Sequence, residues 1–199
     1  MKFPESPLAH QLLDGLKGLE IGGAAHNAFG LDTLNVDRIE QSHPDFVPYA
    51  TEQRGICGEV MPVDVVAPGD QLPFPDKSFD FIISSHVIEH FWDPIGAIKE
   101  WARVARKYIY IICPHRDALP SDRDKPLTTL EELWRRHHGE LRVRGGDEHF
   151  SRWLPDTFAA MCESAGFVIC KRQSVDDKVG NGFTVVIRPD AKVPMPAAD

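Results

Sequence analysis

Leu72-Pro73-Phe74-Pro75-Asp76-Lys77-Ser78-Phe79-Asp80-Phe81-Ile82-Ile83-Ser84-Ser85-His86-Val87-Ile88-Glu89-His90 decides the fold. The first seven residues are rich in turn formers. Residues 79–84 are nearly all apolar, too short for a helix and without polar alternation, so they read as a strand buried on both faces, as in a parallel sheet covered by helices. Ser84-Ser85-His86 then places hydroxyls and an imidazole at the carboxyl end of that strand, where open α/β sheets bind ligands.

Downstream, Asp93-Pro94 opens a helix predicted to run to about residue 106, with Asp as cap, Pro at the first position and Ile95, Ile98, Trp101, Ala102 and Ala105 as the inward stripe. A strand follows at 108–113. Residues 114–126 are charged and contain prolines, and a helix is predicted at 128–138 from a Thr128–Glu131 capping box, so 114–153 reads as a lid-like insertion. A helix at 155–165 ends at Gly166, and strands at 167–173 and 183–188 flank a turn-rich segment, implying an antiparallel hairpin. Upstream lie a helix at 8–16, a strand and turn at 18–22, a strand at 33–37, a weak helix at 45–52 and a strand at 60–66. One domain over 1–188 with a disordered tail at 189–199 is expected.

With 199 residues and 42% hydrophobic content, one domain is the default. Lys and Arg number 22 against 30 Asp and Glu, a net charge of −8, which speaks against nucleic acid as a partner. Cys57, Cys113, Cys162 and Cys170 are scattered and read as reduced. Residues 1–7 lack an apolar signal core, and the longest apolar runs fall far short of the roughly 20 residues a membrane helix needs, so a cytoplasmic protein without membrane partners is expected.

At Leu19-Glu20-Ile21-Gly22-Gly23-Ala24, at Leu34-Asn35-Val36-Asp37 and above all at residues 72–90, the chain resembles a class I S-adenosylmethionine-dependent methyltransferase, of the small bacterial type-11-like kind. The resemblance runs from about residue 17 to residue 188. It implies an α/β, Rossmann-like seven-stranded, mostly parallel sheet with a C-terminal antiparallel β-hairpin and helices on both faces. It also implies S-adenosyl-L-methionine as cofactor and methyl transfer to the oxygen or nitrogen of a small-molecule acceptor, such as an acidic metabolite or sugar, by a monomer or homodimer.

The glycines at the first βα turn let the backbone approach a ligand, so Gly22, Gly23 and Ala24 are candidate cofactor residues. Glu20 suits the cofactor's ammonium, and Asp37 the two ribose hydroxyls. Gly69 and Asp70 are candidates for the adenine, because Pro68 stands where the family usually has Asp; His26 replaces the third glycine. These departures keep an atypical, non-catalytic cofactor-binding module open as the alternative. A dinucleotide oxidoreductase would want that glycine and a full helix after the first strand.

Backbone carbonyls of Ser84 or Ser85 are candidates to face the cofactor amine, and His86 is the leading candidate base, with His115 second. His90 reads as a packing residue. Arg116, His149 and Trp153 are candidate acceptor residues, Trp153 being equally readable as lid packing. Arg135, Arg136, Arg142 and Arg144 read either as a solvated face or as a cradle for an acidic acceptor. His86 and His90 at i,i+4 raise a metal question, with His115, His137, His138 and His149 near the same sheet edge; with no Cys among them and no tight cluster, no metal is expected.

Overall fold

The computed structural model describes residues 5–23, 29–143 and 149–192. In chain order the elements are α1 (Pro7–Leu13), β1 (Gly18–Ile21), β2 (Thr33–Asp37), α2 (Phe46–Cys57), β3 (Val65–Val66), β4 (Phe79–Ser85), α3 (Pro94–Val104), β5 (Ala105–Pro114), α4 (Leu130–His137), α5 (Pro155–Ser164), β6 (Phe167–Gln173) and β7 (Gly182–Lys192). They build one seven-stranded sheet in the order β3-β2-β1-β4-β5-β7-β6. All neighbours are parallel except β7, which runs antiparallel to β5 and β6.

The alternation of side chains along each strand divides the core in two. Leu19, Ile82, Ile109 and Ile111 face one side, under Ile95, Ile98 and Trp101 of α3 and Phe158 and Met161 of α5. Phe81, Ile83, Tyr110 and Ile112 face the other, under Leu8, Ala9 and Leu13 of α1. This two-sided burial is why β4 is apolar without alternation. Helix α3 starts as its sequence dictates: Asp93 Oδ1 accepts the Gly96 N–H at 2.9 Å, with Pro94 in the first turn.

Four expectations are corrected. The strand at 60–66 shrinks to Val65–Val66, because Pro62 has no N–H for a ladder and the Asp64 carboxylate takes the Asn35 N–H at 2.8 Å. The cap of α4 is Thr129, whose hydroxyl accepts the Glu132 N–H; Thr128 Oγ1 accepts the Arg152 N–H instead. Helix α1 ends at Leu13 rather than residue 16, because Gly15 takes a positive φ. The last strand continues to Lys192 through pairing with β6, past the residue where the tail was expected to begin; residues 193–199 lie outside the described residues.

From β1, the chain moves outward to β2 and β3, then returns to β4 and β5 on the opposite side. The strand order therefore reverses between β1 and β4, and a crevice forms outside the carboxyl ends of a sheet at such a point. The 114–153 segment is fastened beside it. His115 bridges Trp153, the Phe150 N–H donates to the Glu89 carbonyl, and Arg136 donates to Ser151 Oγ and the Phe150 carbonyl. No helix among the described residues is long and apolar enough to cross a membrane.

Candidate functional site

At the end of β1, Gly22 adopts φ +66°, and a Cβ there would meet Val87 Cγ2 at 2.8 Å. Only glycine meets both conditions. A Cβ on Gly23 would lie 2.9 Å from Asn35 Oδ1 and 3.0 Å from Glu20 Oε1, so the bare turn sits directly on the Glu20 carboxylate. Its N–H donates to Asn35 Oδ1, and its carbonyl accepts from Gln53 Nε2. Glu20 itself is 4% exposed, and its Oε2 has no hydrogen-bond partner among the described residues. Burial pushes its carboxyl up to about 7, against the opposing pull of the Lys178 ammonium. Ala24 and His26 lie outside the described residues.

Lys178 is a residue sequence reading missed. A lysine in a hairpin turn is by default solvated, yet this one is 2% exposed, its ammonium 4.1 Å from the centre of the Phe29 ring and its field felt at Glu20. The β6–β7 loop that carries it is built around Asp176, whose carboxylate accepts the N–H groups of Lys178, Val179, Gly180 and Gly182. Asp177 ties the loop to α1 by accepting from Ser6 Oγ and from the Leu8 N–H at 2.9 Å.

The same loop reaches the end of β4. His86 there has φ +56°, a left-handed conformation that costs a non-glycine residue of order 1 kcal/mol. Its N–H donates to the Ile112 carbonyl, and its Nε2 lies 2.7 Å from Asn181 Oδ1. With Nε2–H as donor to that oxygen, the basic lone pair of a neutral ring is on Nδ1, 3.5 Å from Ser85 Oγ. Ser84 is fully buried, and its hydroxyl has no partner among the described residues.

Asp37 stands at the end of β2, its Oδ1 accepting the Ile39 N–H at 3.2 Å, and a cleft of about 660 Å³ opens next to it between Arg38, Ile39 and α2. Gly69 is held by Trp101, whose indole N–H donates to its carbonyl at 2.7 Å, and a Cβ on Gly69 would meet Ile21 and Phe91. Asp70 is exposed.

Further out, the expectations divide. His115 Nδ1 accepts the Asp117 N–H, so its lone pair caps a turn. Arg116 is folded back onto Asp117 and the Lys125 carbonyl. Trp153 is 1% exposed and packed edge-on against Phe158 at 5.1 Å, a core residue rather than a pocket wall, because the bridge to His115 draws it into the sheet. Arg136 is likewise neither solvated nor available to an acceptor: it is 7% exposed, paired with Glu132 at 2.5 Å and stacked 4.5 Å from the Trp92 ring. His149 lies against Glu89 and Asp122. The Glu89 carboxyl is pushed up to about 8, first by burial and also by the nearby Asp122 charge.

Both the sequence and the fold find matches among known proteins. A family model described as Methyltransferase domain matches residues 23–113. Residues 23–113 are thus similar to a methyltransferase domain, and the relatives matched over part of that stretch are themselves methyltransferases. A probable S-adenosylmethionine-dependent methyltransferase of Mycobacterium tuberculosis is 37% identical over 59 residues, which are 29% of this chain and 22% of that protein. Ajmaline N-methyltransferase of Rauvolfia serpentina is 44% identical over 59 residues, 27% of this chain and 20% of that one. The matched segment thus spans about a fifth of these relatives. The crystal structure of Burkholderia thailandensis 1,6-didemethyltoxoflavin-N1-methyltransferase, with 1,6-didemethyltoxoflavin and S-adenosylhomocysteine bound, superposes with a TM-score of 0.56 at 16% identity, covering 91% of this chain and 74% of that one.

S-Adenosylmethionine is the cofactor of this methyltransferase family, and the residues present fit it. The Gly22-Gly23 turn is a cradle that any Cβ would fill, and beneath it Glu20 Oε2 is a buried acceptor still owed a donor.

Proposed function

We propose that the chain transfers a methyl group from S-adenosylmethionine to an oxygen or nitrogen of a small-molecule acceptor. The observation that carries this reading is the buried Glu20 carboxylate under the glycine turn, one strand away from His86. Glu20 takes the cofactor's ammonium, and Lys178, the buried cation facing it, takes the carboxylate of the same amino-acid end. Asp37 accepts from the ribose hydroxyls. The Gly69-Asp70 turn borders the adenine, and the Ser84 and Ser85 carbonyls border the amine.

The bound cofactor supplies a methyl on a cationic sulfur, already a good leaving group. Alignment of the acceptor about 3 Å from that carbon therefore provides most of the rate. His86 Nδ1 removes the acceptor's proton as the new bond forms, with Asn181 fixing the ring through Nε2. His115 is the weaker candidate, its lone pair being engaged by Asp117. Two relatives whose names give small-molecule reactions support the acceptor class. An acidic acceptor draws no support from Arg116, paired at the surface with Asp117, or from Arg136, engaged inside the fold.

The test is thermal melting with S-adenosylhomocysteine and with NAD, followed by isotopic methyl transfer to a panel of hydroxyl and amine metabolites. A ligand that binds only the folded state raises the midpoint. The reading fails if S-adenosylhomocysteine leaves the midpoint unchanged; binding without transfer to any acceptor leaves the non-catalytic module. His86→Gln is expected to lower kcat on the accepted substrate about tenfold with S-adenosylhomocysteine affinity unchanged, less than the usual effect of a lost base because the leaving group needs little help.

Glu20 also sets a pH dependence. Its carboxyl titrates at about 7 in the free protein, and only the ionised form pairs with an ammonium. Affinity for S-adenosylhomocysteine should therefore rise about tenfold per pH unit below 7 and level off above it. Glu20→Gln should give a weaker, flat profile by isothermal titration. A wild-type profile that is flat from pH 5.5 to 7 refutes the pairing.

A further inference from the structure

Glu89 and His90 occupy the 3-10 turn Ile88–His90 just after β4, and His149 comes in from the far end of the 114–153 segment. The backbone holds the two pieces together, the Glu89 carbonyl accepting the N–H groups of Phe150 and Ser151. The Glu89 side chain is 1% exposed, and neither of its oxygens accepts a hydrogen bond among the described residues. A buried carboxylate without a donor is strongly disfavoured unless something positive sits against it.

What surrounds it is two imidazoles. Nε2 of His90 and Nε2 of His149 each lie 3.9 Å from Glu89 Oε1, and the rings meet edge to face with centres 4.8 Å apart. His149 is oriented from behind: its Nδ1 is 2.5 Å from Asp122 Oδ2. Arg152 donates to the other Asp122 oxygen at 2.7 Å, so Asp122 Oδ2 is left as acceptor and Nδ1 as the ring's donor to it. In the neutral ring the lone pair is then on Nε2, the atom 3.9 Å from Glu89 Oε1. Once Glu89 is ionised, two acceptors face each other across 3.9 Å, an arrangement that a cation between them satisfies.

We infer that Glu89, His90 and His149 bind a divalent transition-metal ion, with Asp122 holding His149 in the ligating tautomer. One ligand atom from each of the three residues lies within 4.8 Å of the others. Zinc at about 2.1 Å from N and O ligands needs them about 3.4 Å apart, a contraction that small side-chain rotations supply. Two nitrogens and one carboxylate oxygen are borderline ligands, suited to zinc and its neighbours rather than to calcium or magnesium. A carboxylate behind a metal-bound imidazole is the usual outer partner. Three protein ligands leave a fourth position for water or for a heteroatom of the acceptor, and the ion joins the 114–153 segment to the end of β4. The spacing argument looked for a chelate between His86 and His90 on a helix. The 3-10 turn and the positive φ of His86 forbid that, and His149, remote in sequence, takes its place.

The test uses the full chain, dialysed against a chelator and titrated with Zn²⁺ in competition with a chromophoric chelator, with the absorption spectrum of the Co²⁺ form as a second readout. One equivalent is expected to bind with micromolar or tighter affinity and to raise the melting midpoint. Glu89→Gln and His149→Ala should each weaken binding at least about 100-fold, and Asp122→Asn about tenfold. A cooperative melt shows that each variant is folded; if Glu89→Gln does not fold, His149→Ala and His90→Ala decide. Failure of the wild type to bind Zn²⁺ or Co²⁺, or binding unaltered by Glu89→Gln and His149→Ala, overturns the site. The methyltransferase reading stands or falls independently of either result.

Discussion

Asp37→Ala should weaken binding of S-adenosylhomocysteine about 100-fold. Asp37 ends β2, and its backbone carbonyl accepts the Ala67 N–H at 2.9 Å, a bond the substitution keeps. Among its described contacts, the carboxylate accepts the Ile39 N–H at 3.2 Å, a partly exposed bond worth roughly 0.5 kcal/mol to the fold. In the proposed cofactor site the same carboxylate takes two ribose hydroxyls as donors. Charge-assisted bonds of this kind carry about 1.5 kcal/mol or more each, so losing both costs about 3 kcal/mol, or about 100-fold in Kd. Isothermal titration reads the effect. 5'-Methylthioadenosine, which keeps the ribose and lacks the amino-acid end, separates the ends of the site: Asp37→Ala weakens it as much as S-adenosylhomocysteine, whereas Glu20→Gln weakens only the latter. An Asp37→Ala affinity within threefold of wild type removes Asp37 from the ribose site.

What the sequence made legible is what local rules decide. An apolar run at 79–84 has one low-energy use in a chain of this composition, and Asp93-Pro94 leaves little choice about where α3 begins. The bare turn at Gly22 was readable because a strand end that turns so sharply needs a residue free to take positive φ, and the ligand roles of Glu20 and Asp37 are proposals built on that turn. Features decided by long-range contacts were not. Trp153 reads equally as pocket wall or core until its bridge to His115 is known. Arg136 looks like one of a solvated basic row, and only the Phe150 carbonyl, Ser151 and Trp92 show that it is internal. The 60–66 run has strand composition, but a carboxylate two residues past a proline competed for the ladder N–H. The Glu89 cluster joins residues about 60 positions apart in the chain, a pairing that no local pattern specifies.

Asp176→Ala should cost about 4 kcal/mol of stability and weaken cofactor binding through the loop it destroys. The sequence 174–181 has the look of an ordinary hairpin turn, yet the chain there folds around one carboxylate. Oδ1 accepts from Lys178 at 3.1 Å and Val179 at 2.6 Å, Oδ2 from Gly180 at 3.0 Å and Gly182 at 2.8 Å. Each N–H left without a partner costs about 1–3 kcal/mol if it stays buried, and the exposed Gly180 recovers water, hence the total of about 4. Burial by itself would push the Asp176 carboxyl up, but the four N–H groups outweigh it and hold the carboxyl below its usual range. The sign follows: stability from this group is fully present above the ordinary carboxylate range and is lost as pH falls through the depressed value. Denaturant unfolding of wild type should therefore weaken toward acid more steeply than that of Asp176→Ala. Because Lys178 and Asn181 ride on the same loop, the variant should also lose affinity for S-adenosylhomocysteine and loosen His86, whose ring Asn181 holds. Asp176→Asn should not rescue it, since the amide would present N–H groups to N–H groups on one side. A variant within 1 kcal/mol of wild type at neutral pH would mean that the loop, and with it the buried Lys178, is held by other contacts.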